Sequence, residues 1–80
     1  MEEVKLGIYK HSKSGKLYKV IGLARNSENH TEEFVVYQAL HESSEFGSNQ
    51  LWIRPKQMFL EKVVIGGKEV LRFEFVEGLI

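Results

Sequence analysis

Three histidines, six serines and two adjacent glutamates are the side chains from which catalysis or metal binding would have to be built. His11, His30 and His41 fall in different polar connectors, and no two share the HxxxH spacing that puts imidazoles on one helix face. The serines, such as Ser12, Ser14 and Ser27, lie in turns, and none sits in a G-x-S-x-G nucleophile elbow. Glu32 and Glu33 are neighbours in the chain, so on a strand they point to opposite faces. "IGGK" (65–68) lacks the first glycine and the closing Ser or Thr of a phosphate-binding loop and reads as a turn. With no cysteine, thiolate nucleophiles, disulfides and Cys-based metal centres drop out. No catalytic residue, metal or cofactor is assigned. A small-molecule hydrolase or transferase would need His11 within hydrogen-bond reach of Glu28 or another carboxylate, in a closed pocket.

Binding has better material. Tyr9, Tyr37 and Trp52 each fall in a strand-like segment and carry a polar tip that needs a partner or water when buried. In "LWIR" (51–54), strand alternation puts Trp52 and Arg54 on one face and Leu51 and Ile53 on the other. An arginine so placed can bond an anion or stack on an aromatic face. Lys10, Lys13, Lys16 and Lys19 surround the turn "SKSGK", with Tyr9 and Tyr18 as cross-strand neighbours flanking it. That combination offers a stacking platform with phosphate contacts, the arrangement used by single-strand nucleic-acid binders.

The elements that must position these residues have period two. "GIYKH" (7–11), "LYKVIGLA" (17–24), "EFVVYQAL" (33–40), "LWIR" (51–54), "KVVI" (62–65) and "EVLRFEFV" (69–76) read as short strands. The second is apolar at nearly every position, as for a strand covered on both sides. The last puts Leu71, Phe73 and Phe75 inward, with Arg72 and Glu74 outward, and most of the phenylalanines belong in the core. Gly15 and the pair Gly66-Gly67 mark hairpin turns. "RNSENHTE" (25–32) and "HESSEFGSNQ" (41–50) read as polar loops. "PKQMFLEK" is the exception: Pro55 suits a first helical position, and Met58 and Phe59 then fall toward the core. The fold expected is a mainly all-β, SH3-like barrel of five or six short antiparallel strands, with one helical turn near residues 55–60. An antiparallel sheet with one flanking helix is the alternative.

Eighty residues make one domain, 1–80, with its core at about 7–76. The start, "MEEVKLGIYK", has no basic segment followed by an apolar run, and no apolar run approaches the ~20 residues of a membrane span. A soluble cytoplasmic protein that does not engage a membrane is expected. Net charge is zero, so the global field of a typical nucleic-acid binder is missing. The charge is nonetheless uneven, since residues 26–50 hold five acidic groups and no Lys or Arg.

The strings "GIYKHSKSGKLYKVIGLARNSE", "EFVVYQAL", "LWIRPKQMF" and "RFEF" resemble the DUF1653 family, a small bacterial domain of unknown function. The resemblance runs from Gly7 to about Phe75. Its most specific portion is Trp-x-Arg-Pro-x-x-Met-Phe, matched by Trp52, Arg54, Pro55, Met58 and Phe59. Departures are an extra Ser14, Asn26 in place of a His, Asn29 and His30 before Thr31, and His41 where a Tyr is usual. The resemblance implies no activity, but it draws attention to polar residues that a core does not need: His11, Lys13, Ser27, Glu28, Arg54 and Arg72. The expected ligand surface is therefore Tyr9, His11, Lys13, Tyr37, Trp52 and Arg54. Tyr18, Ser27, Glu28 and Arg72 stand at its rim or serve structure, Glu28 through an ion pair with Arg54 or Arg72 and Ser27 through its own turn. The function expected is a non-catalytic binding module for a peptide or protein segment. Single-stranded nucleic acid is the alternative partner, and oligomeric state is left open.

Overall fold

The hairpin permitted by Gly15, at φ 74°, starts the sheet. Strands β1 (Gly7–His11) and β2 (Leu17–Arg25) pair antiparallel around it, with Tyr9 opposite Tyr18. In the computed structural model, which describes residues 4–78, β2 then pairs with β3 (Glu33–Ala39). A short ribbon of β4 (Glu42–Ser43) and β5 (Gly47–Ser48) precedes β6 (Leu51–Pro55), which pairs with β3. The helical turn α1 (Lys56–Phe59) follows, with Pro55 as its N-cap. Next comes a ribbon of β7 (Lys62–Ile65) and β8 (Lys68–Leu71), turned by Gly66 and Gly67 at φ 59° and 79°. Finally β9 (Phe73–Gly78) returns to pair with β1. The main sheet has the order β6-β3-β2-β1-β9.

The sheet curls around an aromatic core. Phe59 stacks on Phe73 with ring centroids 4.3 Å apart, and meets Tyr9 and Tyr37 edge-on at 5.4 and 5.6 Å. Val20 and Val35 lie fully buried beneath these rings. The closed barrel expected from the sequence does not form, and the open antiparallel sheet with one helical turn does. The two edge strands, β6 and β9, are not hydrogen-bonded to each other among the described residues. They are linked across the concave face by side chains instead: Arg54 of β6 lies over the ring of Phe73 of β9, 5.4 Å from its centroid, and Phe59 stacks on that ring.

Five other expectations change. Met58 is exposed, so that only Phe59 of the helical turn enters the core. "EVLRFEFV" is not one strand but breaks at Arg72, whose N–H donates to the Glu61 carbonyl and whose carbonyl accepts from the Ser12 N–H. Leu71 is consequently exposed and Phe75 half exposed, leaving Phe73 as the buried member. Only Phe59 and Phe73 among the phenylalanines are fully in the core. Strand β2 is not covered on both sides along its length: a bulge between Val20 and Gly22 displaces Ile21, and Leu17, Ile21 and Leu23 are exposed. The segment 41–50 is an ordered hairpin, turned where the Ser43 hydroxyl accepts from the N–H groups of Glu45 and Phe46.

Candidate functional site

Register decides which side chains meet. On the concave face, His11 lies opposite Phe73, Tyr18 opposite Ala39, Tyr37 opposite Trp52, and Val35 opposite Arg54. Four of the six residues expected to form a ligand surface thus converge: His11, Tyr37, Trp52 and Arg54. With Tyr18 and Phe73 they line a cleft of about 230 Å³.

Within it Arg54 is held from two sides. Its Nε donates to the Tyr37 hydroxyl at 3.3 Å while the guanidinium carbon lies over Phe73. Among the described residues its two terminal amino groups meet no acceptor, which leaves them to an incoming anion. Trp52 is about one-third exposed (37%) and takes the edge of Phe46 at 5.2 Å, so it belongs to the cleft wall and not to the core. Tyr18 sits edge-on to Tyr37, Phe73 and His41. Burial, with Tyr37 beside it, raises the pKa of its hydroxyl, although Arg54 opposes the shift.

His11 closes the cleft at the turn end. Its Nδ1 accepts from the Ser14 N–H at 3.3 Å, so the neutral ring carries its proton on Nε2. Burial lowers its pKa below 6.5, and Arg54, Arg72 and Lys13 lower it further. Three cations act on this imidazole, and no carboxylate lines the cleft among the described residues. The site is therefore electropositive within a chain of zero net charge.

The other expected residues go elsewhere. Tyr9 is buried on the far side of Phe73, donating its hydroxyl to the Lys5 carbonyl at 2.8 Å. Burial raises its pKa despite that bond. Lys13 is exposed on the turn and contributes charge without lining the cleft. Glu28 and Ser27 lie in the β2–β3 loop, at the other end of the nine-residue β2, about 27 Å along the strand from the turn holding His11. Glu28 forms no ion pair with Arg54 or Arg72. Its N–H bonds Asn26 Oδ1, and this asparagine, rather than Ser27, organises the loop. Arg72 pairs instead with Glu61 at 3.5 Å. An acid–base pair of His11 and Glu28 is excluded by the same separation.

Phe73 and His41 were not anticipated as site residues. Phe73 reads from its alternation as core, which it also is. His41 packs on Tyr18 with its Nδ1 buried and unpartnered among the described residues. Its position two residues past the end of β3 gives no face to assign. Two further hollows are present among the described residues. One of about 480 Å³ lies between the β2–β3 loop and α1, where Glu33 is ion-paired with Arg25 and Lys56 and Glu32 accepts from the Asn26 side-chain amide. The other, about 190 Å³, is the apolar side of Phe73 near Tyr9 and Phe75. Among the described residues no group of His and carboxylates is arranged to hold a metal, and no helix is long and apolar enough to cross a membrane.

A curled antiparallel sheet carrying one cationic, aromatic-walled cleft defines the class of protein. Residues 7–75 match the family model described as a protein of unknown function, DUF1653, and the chain belongs to that family. It is similar to a solved DUF1653 protein from Bordetella bronchiseptica, with 30% identity and a TM-score of 0.81, over all of this chain and 96% of that one. Comparison with curated proteins finds no match.

Proposed function

We propose that this chain is a binding module whose cleft receives a carboxylate of a protein segment, either an Asp or Glu side chain or a free chain terminus. The observation that carries this reading is the convergence of Arg54, His11 and Trp52 in one electropositive cleft without a carboxylate of its own. A guanidinium already oriented by Tyr37 and Phe73 loses little freedom when it engages an anion, and the neighbouring rings accept the apolar part of the same segment. The curl, SH3-like in its short strands and single helical turn, favours a shallow groove suited to an extended segment. Single-stranded nucleic acid fits less well. Lys10 and Lys19 alternate with Tyr9 and Tyr18, so these lysines face away from the aromatic cleft instead of framing it.

The test is an NMR titration with degenerate pentapeptides bearing a free carboxyl terminus, against the same mixture amidated and against a mixed-sequence RNA. Shifts at the Trp52 indole, His11 ring and Arg54 Nε, lost in Arg54→Met, are expected with the acidic or free-carboxyl peptides. Shifts only with RNA, or none at millimolar peptide, would reject the proposal.

A further inference from the structure

The two edges of the main sheet are guarded differently. Strand β9 carries Glu74 and Glu77, both exposed and in register with Lys10 and Ile8 on the convex face. Charges so placed discourage another strand from pairing there. Strand β6 has none on that face: Leu51 and Ile53 point outward, 53% and 64% exposed, followed by Pro55. Their cross-strand neighbours are Gln38, Val36 and Phe34.

The hydrogen-bond pattern shows what this edge can accept. The Ala39 N–H donates to the Gln50 carbonyl at 2.9 Å, and on the other side of β3 the Leu40 N–H donates to Leu17. Antiparallel alternation then directs the backbone groups of Trp52 and Arg54 toward β3, and those of Leu51, Ile53 and Pro55 outward. Most of these outward groups are spent. The Gln50 side-chain amide donates to the Leu51 carbonyl at 2.9 Å. Pro55 has no N–H, and as the N-cap of α1 its carbonyl begins the helical hydrogen bonds. Ile53 alone keeps both its N–H and its C=O for a partner.

We propose that two copies of this chain pair antiparallel through β6 about a two-fold axis at Ile53. The register is self-complementary. Each Ile53 N–H donates to the other copy's Ile53 carbonyl, and the two isoleucine side chains meet on the convex face. On the concave face, Trp52 of each copy lies opposite the other's Arg54, placing a cation beside an aromatic ring. Shifting the register by one place in either direction sets Ile53 against Leu51, whose carbonyl is engaged, or against Pro55, which has no donor. A long foreign strand would meet those same blocked positions at both ends, whereas the short two-fold contact needs only the central residue. Zero net charge adds no overall repulsion between copies. The two clefts become one continuous concave floor, with Arg54 of each copy next to Trp52 of the other. This pairing does not depend on the ligand proposed above.

So short a contact predicts a weak dimer, so the full chain is followed by sedimentation and NMR from roughly 10 µM to 1 mM. The weight-average mass is expected to rise from 9.3 kDa toward twice that value. Concentration-dependent shifts and slowed amide exchange should centre on Ile53 and the Trp52 indole. Ile53→Lys should weaken association at least tenfold while leaving the melting curve of the dilute protein unchanged, since this side chain is largely exposed. Should that variant fail to fold, the exchange of the wild-type Ile53 amide against concentration decides alone. A single species at 1 mM, association that Ile53→Lys does not weaken, or β6 shifts that appear only with an added extended peptide would overturn the dimer.

Discussion

Phe73 divides the concave face into two halves built from the same residue types. On one side Tyr9, Phe59 and Phe75 pack ring against ring, and α1 drops Phe59 to 2% exposure. On the other, Tyr18, Tyr37 and Trp52 stand around Arg54 and His11, and Trp52 keeps 37% of its surface open. Both halves are aromatic, so hydrophobicity does not distinguish them. The difference lies at the centre of each half. The first is covered over Tyr9 by Phe59 of a helical turn of its own chain, although Phe75 at its rim is as exposed as Trp52. The second receives a guanidinium and an imidazole in place of that turn, which leaves it charged and open. Aromatic content alone therefore does not tell the two halves apart; the polar groups the chain supplies do.

The sharpest way to break that comparison is to truncate one ring in each half. Phe59→Ala removes the buried ring that touches Tyr9, Tyr37 and Phe73, and a loss of about 3–5 kcal/mol is expected in urea unfolding. Trp52→Ala, a larger deletion by volume, should cost only about 1–2 kcal/mol because the ring is part exposed and packs mainly on the exposed Phe46. A Trp52 loss above ~3 kcal/mol would place it in the core and erase the distinction between the halves.

How far the sequence reaches can be judged at individual residues. Alternation in "LWIR" placed Trp52 with Arg54 and put Leu51 with Ile53, as the register bears out. It also set Tyr9 opposite Tyr18. What alternation cannot supply is position along the face: Tyr9 and Tyr18 share the concave side yet fall on opposite sides of Phe73, and only the curl separates them. The break at Arg72 was hidden because "EVLRFEFV" alternates without interruption. Its cause is long-range, a pair of backbone bonds to Glu61 and Ser12. Closure was misread for a similar reason. Strand count and helical turn suit a barrel, but whether β6 and β9 pair is set by the curl of the whole sheet, which no local pattern contains.

A smaller effect sharpens the comparison through the two cross-strand tyrosines. Tyr9→Phe deletes a hydroxyl that donates to Lys5 inside the closed half, and about 1 kcal/mol should be lost. Tyr18 has no hydrogen-bond partner among the described residues, so Tyr18→Phe is expected to change stability by less than about 0.5 kcal/mol. Thermal melts of the two variants side by side read the difference, and equal losses would contradict it.

The smallest expected effect is a pH dependence confined to the open half. In the folded chain burial, and then Arg54, Arg72 and Lys13, hold the pKa of His11 below the 6.5 of an unfolded histidine. The unfolded state therefore binds the proton first as pH falls, and stability declines from about pH 6.5 down through the lower folded value, while above pH 6.5 both forms are neutral and the group contributes nothing. Melting temperatures of wild type and His11→Gln between pH 8 and pH 5 test this. The wild type should lose more over that window, since glutamine cannot titrate. A carboxylate bound against Arg54 would offset the positive field and raise His11 toward its ordinary value, so saturating acidic peptide should flatten the wild-type curve. Parallel curves for the two proteins, with or without peptide, would mean that the field of the open half does not reach the imidazole.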